Sequence, residues 1–211
     1  MEIRLPKYKE LTIDQKMFLW LHEIPHCFEI EDMEKRTTKI VEYAISAHAN
    51  TNHFYGDKPY SFHLENVVNT AIHYINLIPL EAQEDVLAAC WCHDLIEDAR
   101  QSYNDVKINT NKRVADIVYA VSTEKGHDRE ERQCAKYYEG IRNTPFATFV
   151  KLCDRIANSQ HGLDTRSRMF EKYKSEMPKF KQELYTEQYD SMFKYLDELY
   201  KYKLNQNDYV W

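Results

Sequence analysis

An all-α fold follows from three observations. The 211 residues include only 4 glycines and 6 prolines, too few for the many tight turns of a β fold. Apolar residues recur at three- and four-residue spacing along most of the chain. The stretch Leu87-Ala-Ala-Cys-Trp-Cys-His-Asp-Leu-Ile-Glu-Asp98, mostly apolar and free of Gly and Pro, has the composition of a buried helix. The expectation is one bundle of about nine to ten helices closed around a buried site.

Taken in order, residues 1–30 form an N-terminal extension. Thr12-Ile-Asp-Gln starts a helix before Met17, Phe18, Trp20 and Leu21, and Pro25 ends it; His22 and His26 read as surface or packing residues. A helix over about 31–51 turns Met33, Ile40, Val41, Ala44, Ile45, Ala47 and His48 inward. A loop from His53 to Tyr60 holds Gly56 and Pro59. Ser61 caps a helix over about 62–77, on which His63 shares the inward face of Val67 and Ala71. Pro79 and Leu80 begin a central helix over 80–98.

Short helices follow over 103–109 and 111–121, the second with Val114, Ile117, Val118 and Val121 inward. Ser122–Arg129 is a polar loop with Gly126, and a helix over 130–141 is lined by Arg129, Arg132 and Lys136. Pro145 opens a helix over 146–159 that places Asp154 on one face with Val150, Ala157 and Asn158. Two closing helices, about 167–177 and 180–204, pack through Phe170, Tyr173, Met177, Phe180, Leu184, Tyr189, Met192, Phe193, Leu196 and Leu199. That aromatic surface suits either packing on the domain or pairing as a homodimer. The domain proper spans 31–184, and 185–211 form a C-terminal helix packed on it.

Net charge is −6, from 28 basic and 34 acidic residues, with no basic block, which argues against extended nucleic-acid binding. Five cysteines (Cys27, Cys90, Cys92, Cys134, Cys153), several in apolar helical sequence, read as reduced thiols. Cys90 and Cys92 diverge on a helix, so neither zinc nor a disulfide is expected there. No apolar run reaches membrane-spanning length and no signal-peptide pattern opens the chain, so a cytoplasmic location is expected.

The chemistry lies in the central stretch. Helical spacing makes His93 a neighbour of Glu97, and Asp94 a neighbour of Asp98. Burying such groups unpaired costs several kcal/mol each, on the order of a whole domain's stability when summed. With His63 and Asp154 they make two imidazoles and two carboxylates on three apolar helices, a donor set for a divalent cation. Arg155 is a poor ion-pair partner for Asp154, because adjacent helical residues diverge.

In order, these residues resemble the HD superfamily of metal-dependent phosphohydrolases. Ala47-His48, Gly56, Pro59-Tyr60 and His63 resemble its Ala-His…Gly-x-Pro-Tyr-x-x-His segment, and His93-Asp-Leu-Ile-Glu-Asp98 its His-Asp-x-x-Glu-Asp. Val114–Thr123 looks like the helix ahead of its basic loop, and Lys151-Leu-Cys-Asp-Arg-Ile-Ala-Asn158 resembles Lys-Leu-Ala-Asp-Arg-x-x-Asn. These are signatures of RelA/SpoT-type (p)ppGpp hydrolases, including small stand-alone ones, over roughly residues 37–184.

The resemblance implies Mn²⁺ or another divalent metal on His63, His93, Asp94 and Asp154, with Glu97 and Asp98 as the catalytic acid pair. It implies a nucleotide substrate in contact with His53, Lys58, Tyr60, Lys151 and Asn158, with Arg129, Arg132 and Lys136 placed to clamp distal phosphates. The implied reaction removes a 3′-diphosphate as pyrophosphate. With only a short stretch after residue 184, alarmone degradation without synthesis is expected. Departures fall on the base and ribose side. His53-Phe54 stands where the family has Arg-Lys, one extra residue precedes Pro59, and Ser159-Gln-His-Gly162 replaces Met-Arg-x-Leu. A phosphatase on another nucleotide, such as a nucleoside monophosphate or NADPH, and a non-catalytic nucleotide-binding module are the competing readings. The first would release orthophosphate. The second has no need of six intact polar residues.

Overall fold

The structure, a computed structural model, describes residues 30–123 and 125–203, with side chains from Arg36 onward. The expected Thr12 helix, His22, His26, Cys27 and the chain after residue 203 lie outside the described residues. Helix α1 spans Ile30–Asn50 and α2 Ser61–His73, joined by a hairpin of β1 (Phe54–Tyr55) and β2 (Lys58–Pro59). Then come α3 (Leu80–Cys92), α4 (Leu95–Asp98), α5 (Tyr103–Asn109) and α6 (Lys112–Val121). The remainder is α7 (Arg129–Arg132), α8 (Ala135–Asn143), α9 (Ala147–Asp164), α10 (Arg168–Leu184) and α11 (Asp190–Leu199). The all-α class is as expected, with this one hairpin as its exception among the described residues. No described helix is long and apolar enough to cross a membrane.

Helix α9 lies at the centre, packed against α2, α3, α6, α8, α10 and α11. From Ala147 to Ala157 every residue is buried, so the helix is enclosed on all sides over its first three turns. Lys151, Asp154 and Arg155 are thereby enclosed too and need partners. On α3, Val86 to Cys92 are all buried. On α6 the inward set is Val114, Ala115, Ile117, Val118 and Val121, as the spacing predicts. Asp85 of α3 ties three helices together, accepting from Asn111 at 2.6 Å, Arg113 at 3.1 Å and Arg36 at 3.3 Å.

Several boundaries differ from expectation for physical reasons. The central helix does not run through to residue 98. Its Cys90 carbonyl, which a continuous helix would offer to the Asp94 amide, accepts His93 Nδ1 at 2.9 Å. The chain turns at His93-Asp94 and restarts as α4. Tyr60, not Ser61, is the N-cap of α2, without a side-chain cap, and α2 gives way to a 3₁₀ turn at Ile75–Leu77. The helix expected over 130–141 is split by Gln133-Cys134, and α9 runs on to Asp164. Pro178 does not end a helix: α10 passes through it to Leu184. Phe170, Met177, Phe180 and Leu184 are all buried along that length, and their packing outweighs the lost backbone hydrogen bond.

The loop expected at His53–Tyr60 is instead an antiparallel hairpin, with Phe54 opposite Pro59 and Tyr55 opposite Lys58. Gly56, at φ +65°, opens its two-residue connection, where a left-handed conformation favours glycine. Gly162 has a different role. A Cβ there would lie 3.2 Å from Phe170 Cβ and 3.3 Å from its Cα, so glycine allows α10 to start hard against α9. Gly162→Ala should therefore cost about 1–3 kcal/mol, read as a lowered thermal midpoint. Gly140→Ala, with open space at its Cβ, serves as the control.

Candidate metal centre

Four side chains from three parts of the fold converge. His63 enters from the first turn of α2, His93 and Asp94 from the turn between α3 and α4, and Asp154 from the middle of α9. His63 Nε2 lies 3.2 Å from His93 Nε2, 3.4 Å from Asp154 Oδ1 and 3.6 Å from Asp94 Oδ2. His93 Nε2 lies 2.9 Å from Asp94 Oδ2 and 3.8 Å from Asp154 Oδ1. Both imidazoles are buried, as is Asp154.

Two aromatic nitrogens and two carboxylate oxygens at these separations suit a cation. Metal–donor bonds of about 2.1 Å place neighbouring donors about 3.0–3.5 Å apart. The Cys90 carbonyl only accepts, so His93 Nδ1 carries the proton and its Nε2 presents a lone pair to the cluster. His63, His93 and Asp154 thus form a buried set able to hold a metal ion, with Asp94 against both rings.

The surroundings set the electrostatics. Burial pushes His63 down, but Asp154 and Asp94 overcome it and lift its pKa to about 9. His93 also moves up, burial being outweighed by Asp94. Burial would raise both carboxyls, yet His93 and His63 hold Asp94 low, and Lys151 with His63 holds Asp154 low.

Lys151, expected to meet substrate, is buried with its ammonium 3.0 Å from Asp154 Oδ2. Asn158, likewise expected at the substrate, gives its amide N–H to Asp154 Oδ1 and accepts Tyr55 Oη–H at 2.7 Å. Tyr60 donates to Asp94 Oδ2. His53 stacks on Tyr60 with ring centres 3.9 Å apart, and its Nδ1 lies 3.0 Å from that of His48. Lys58 is exposed, its ammonium 4.0 Å from the Phe62 ring centre.

The acid pair differs from expectation. Glu97 and Asp98 are exposed at the rim, because the break at His93-Asp94 redirects the short α4. Glu97 accepts from the Thr123 amide at 3.1 Å and hydroxyl at 2.8 Å. Asp98 faces Asp94, and the protein around it, Asp94 and Glu97 together push its pKa up to about 6.

Arg129 and Arg132 stand apart from the metal cluster. Arg129 forms a two-pronged pair with Glu176, at 2.8 and 3.3 Å. Glu176 also takes buried Arg155 at 2.9 Å, so Arg155 turns away from Asp154, as adjacent helical residues must. Arg132 reaches the Asp128 carbonyl at 3.3 Å, and Lys136 is exposed. Two residues outside every motif also serve the site: Tyr55, whose ring stacks on His63 at 4.8 Å, and Glu176, which holds Arg129 and Arg155. The run Phe54-Tyr55-Gly56-Asp57 has no apolar–polar alternation to mark Tyr55 in the sequence.

Two comparisons bear on this geometry. A solved structure of a metazoan ortholog of SpoT, described as hydrolysing ppGpp and acting in starvation responses, superposes with a TM-score of 0.62. It is 22% identical and covers 79% of this chain and 94% of its own. The two chains share a fold. In sequence, the chain is 29% identical over 94 residues to guanosine-3′,5′-bis(diphosphate) 3′-pyrophosphohydrolase MESH1 of Drosophila melanogaster. That match takes in 43% of this chain and 52% of MESH1, so the chain spans about half the length of the curated relative it matches. No protein-family model matches. The sequence likeness thus takes in part of one RelA/SpoT-type relative, and the solved structure adds a shared fold.

Protonation of the cluster yields a prediction. Folding raises the His63 pKa from 6.5 to about 9, so in metal-free protein it stabilises fully below pH 6.5, and that contribution is lost as pH rises through about 9. Calorimetry with chelator should show the thermal midpoint falling between those values, and His63→Gln should flatten the fall. Metal binding at pH 7.5 should release protons, seen as a buffer-dependent binding enthalpy.

Proposed function

We propose that this chain is a divalent-metal-dependent phosphohydrolase acting on ppGpp and pppGpp, removing the 3′-diphosphate as pyrophosphate. The observation that carries the reading is the convergence of His63, His93, Asp94 and Asp154, on motifs shared with the RelA/SpoT-type hydrolases. Likeness in sequence and in fold to two proteins described as ppGpp hydrolases supports it. We assign Mn²⁺ to the site, whose mixed imidazole and carboxylate donors suit such an ion. Buried, unpaired Cys90, Cys92 and Cys153 fit a reducing, cytoplasmic setting.

A divalent ion there would lower the pKa of a bound water and polarise a phosphoryl oxygen. The chain's own groups do the rest. Asp98, beside Asp94 and raised to about 6, accepts the proton of the attacking water at a carboxylate oxygen. Glu97, tied to Thr123, orients that water from the rim. Lys151 and Asn158 fix Asp154 from behind and keep its Oδ1 turned to the cluster. Lys58, Arg132 and Lys136 supply positive charge to the substrate's diphosphates, and Arg129 joins them by exchanging Glu176 for phosphate.

Purified protein loaded with Mn²⁺ should turn over ppGpp with pyrophosphate as product, and chelation should abolish it. Asp94→Asn should lower the rate by about a hundredfold or more, as should Asp98→Asn. Orthophosphate as the sole product, or turnover indifferent to Asp94, would overturn the reading. The changed base-side residues, His53-Phe54 and Ser159–Gly162, favour one second reading, a phosphatase on another nucleotide. A panel of nucleoside monophosphates and NADPH separates the two.

A further inference from the structure

The hairpin between α1 and α2 does more than connect them. Tyr60, the residue that follows it and caps α2, donates to Asp94 Oδ2, the oxygen that faces both histidines. Tyr55, on its first strand, donates to Asn158 Oδ1 at 2.7 Å, and Asn158 in turn donates to Asp154 Oδ1, the oxygen that faces His63. Each carboxylate of the cluster is therefore held by a phenol from the segment 54–60, one directly and one through an amide.

His63 completes the pattern. A metal-binding histidine ordinarily fixes its ring by giving its second N–H to a carbonyl or carboxylate, as His93 does to Cys90. His63 Nδ1 is buried with no hydrogen-bond partner among the described residues. Its ring is instead flanked by two phenol rings. Tyr55 stacks on it at 4.8 Å and 17°, and Tyr60 meets it edge-on at 5.3 Å. Tyr60 packs in turn on His48, at 4.3 Å, and on His53, at 3.9 Å, two rings that lie 5.2 Å from each other. Three of the four donor residues thus take their orientation from Tyr55 and Tyr60.

We infer that Tyr55 and Tyr60 are positioning residues that preorganise the metal ligands, Tyr60 through Asp94 and Tyr55 through His63 and Asn158. Each acts through the ligand residue it holds. This rests on the metal-dependent reading above, and its test reads metal affinity directly rather than turnover.

Mn²⁺ binding to the metal-stripped full chain, by calorimetry or by loss of the free-ion electron paramagnetic resonance signal, should be weakened about 10–100-fold by Tyr60→Phe. That variant keeps the stacked ring and removes only the hydroxyl. Tyr55→Phe should weaken binding about tenfold or less, one hydrogen bond further out, and Tyr55→Leu more, because the stack on His63 goes too. The thermal midpoint of metal-free Tyr60→Phe should stay within about 4 °C of the parent, which separates positioning from folding. Parent binding with both Phe variants within about twofold overturns the assignment and leaves the metal reading standing. A parent chain that binds no Mn²⁺ overturns both.

Discussion

Two carboxylates and two imidazoles sit together in an apolar helical interior, and much of the fold follows from making that tolerable. An ionised group in such surroundings persists only with partners. The chain supplies them in layers. Lys151 and Asn158 serve Asp154, Tyr60 serves Asp94, and the Cys90 carbonyl serves His93. His63 Nε2 meets the carboxylates, while its Nδ1 has no hydrogen-bond partner among the described residues and the Tyr55 ring stacks beside it. With the carboxylates held ionised and His63 readily protonated, the cluster in its metal-free form carries its own cation.

That requirement also explains the break in the central helix. On a continuous helix, His93 and Asp94 would diverge by about 100° and could not meet at one point. Giving the Cys90 carbonyl to the His93 ring ends the regular turn, and both side chains then face the same centre. The same break carries Glu97 and Asp98 out to the rim, where solvent reaches them.

Much of this was legible in the sequence. Apolar spacing located α1, α2 and α6 to within a few residues, because each has one buried stripe. His63, His93, Asp94 and Asp154 stood out as titratable groups on apolar faces, and the motif order joined them. What escaped was decided by three-dimensional partners. Lys151 reads as a substrate contact, and only the fold shows it buried against Asp154. Arg129 reads as a free clamp until Glu176, 47 residues away, takes it. Pro178 reads as a stop, although the heptad-like run Phe170, Tyr173, Met177, Phe180, Leu184 already announced a helix that passes through it. Tyr55 belongs to no helical period, and its value appears only once the hairpin folds it over His63.

Helix α9 presents Asp154 to the metal cluster and, one residue on, Arg155 to Glu176, which also grips Arg129 of α7. The two charge clusters sit on faces of one helix about 100° apart. One helix thus supports both the outer basic segment, through Glu176, and the buried centre, through Asp154.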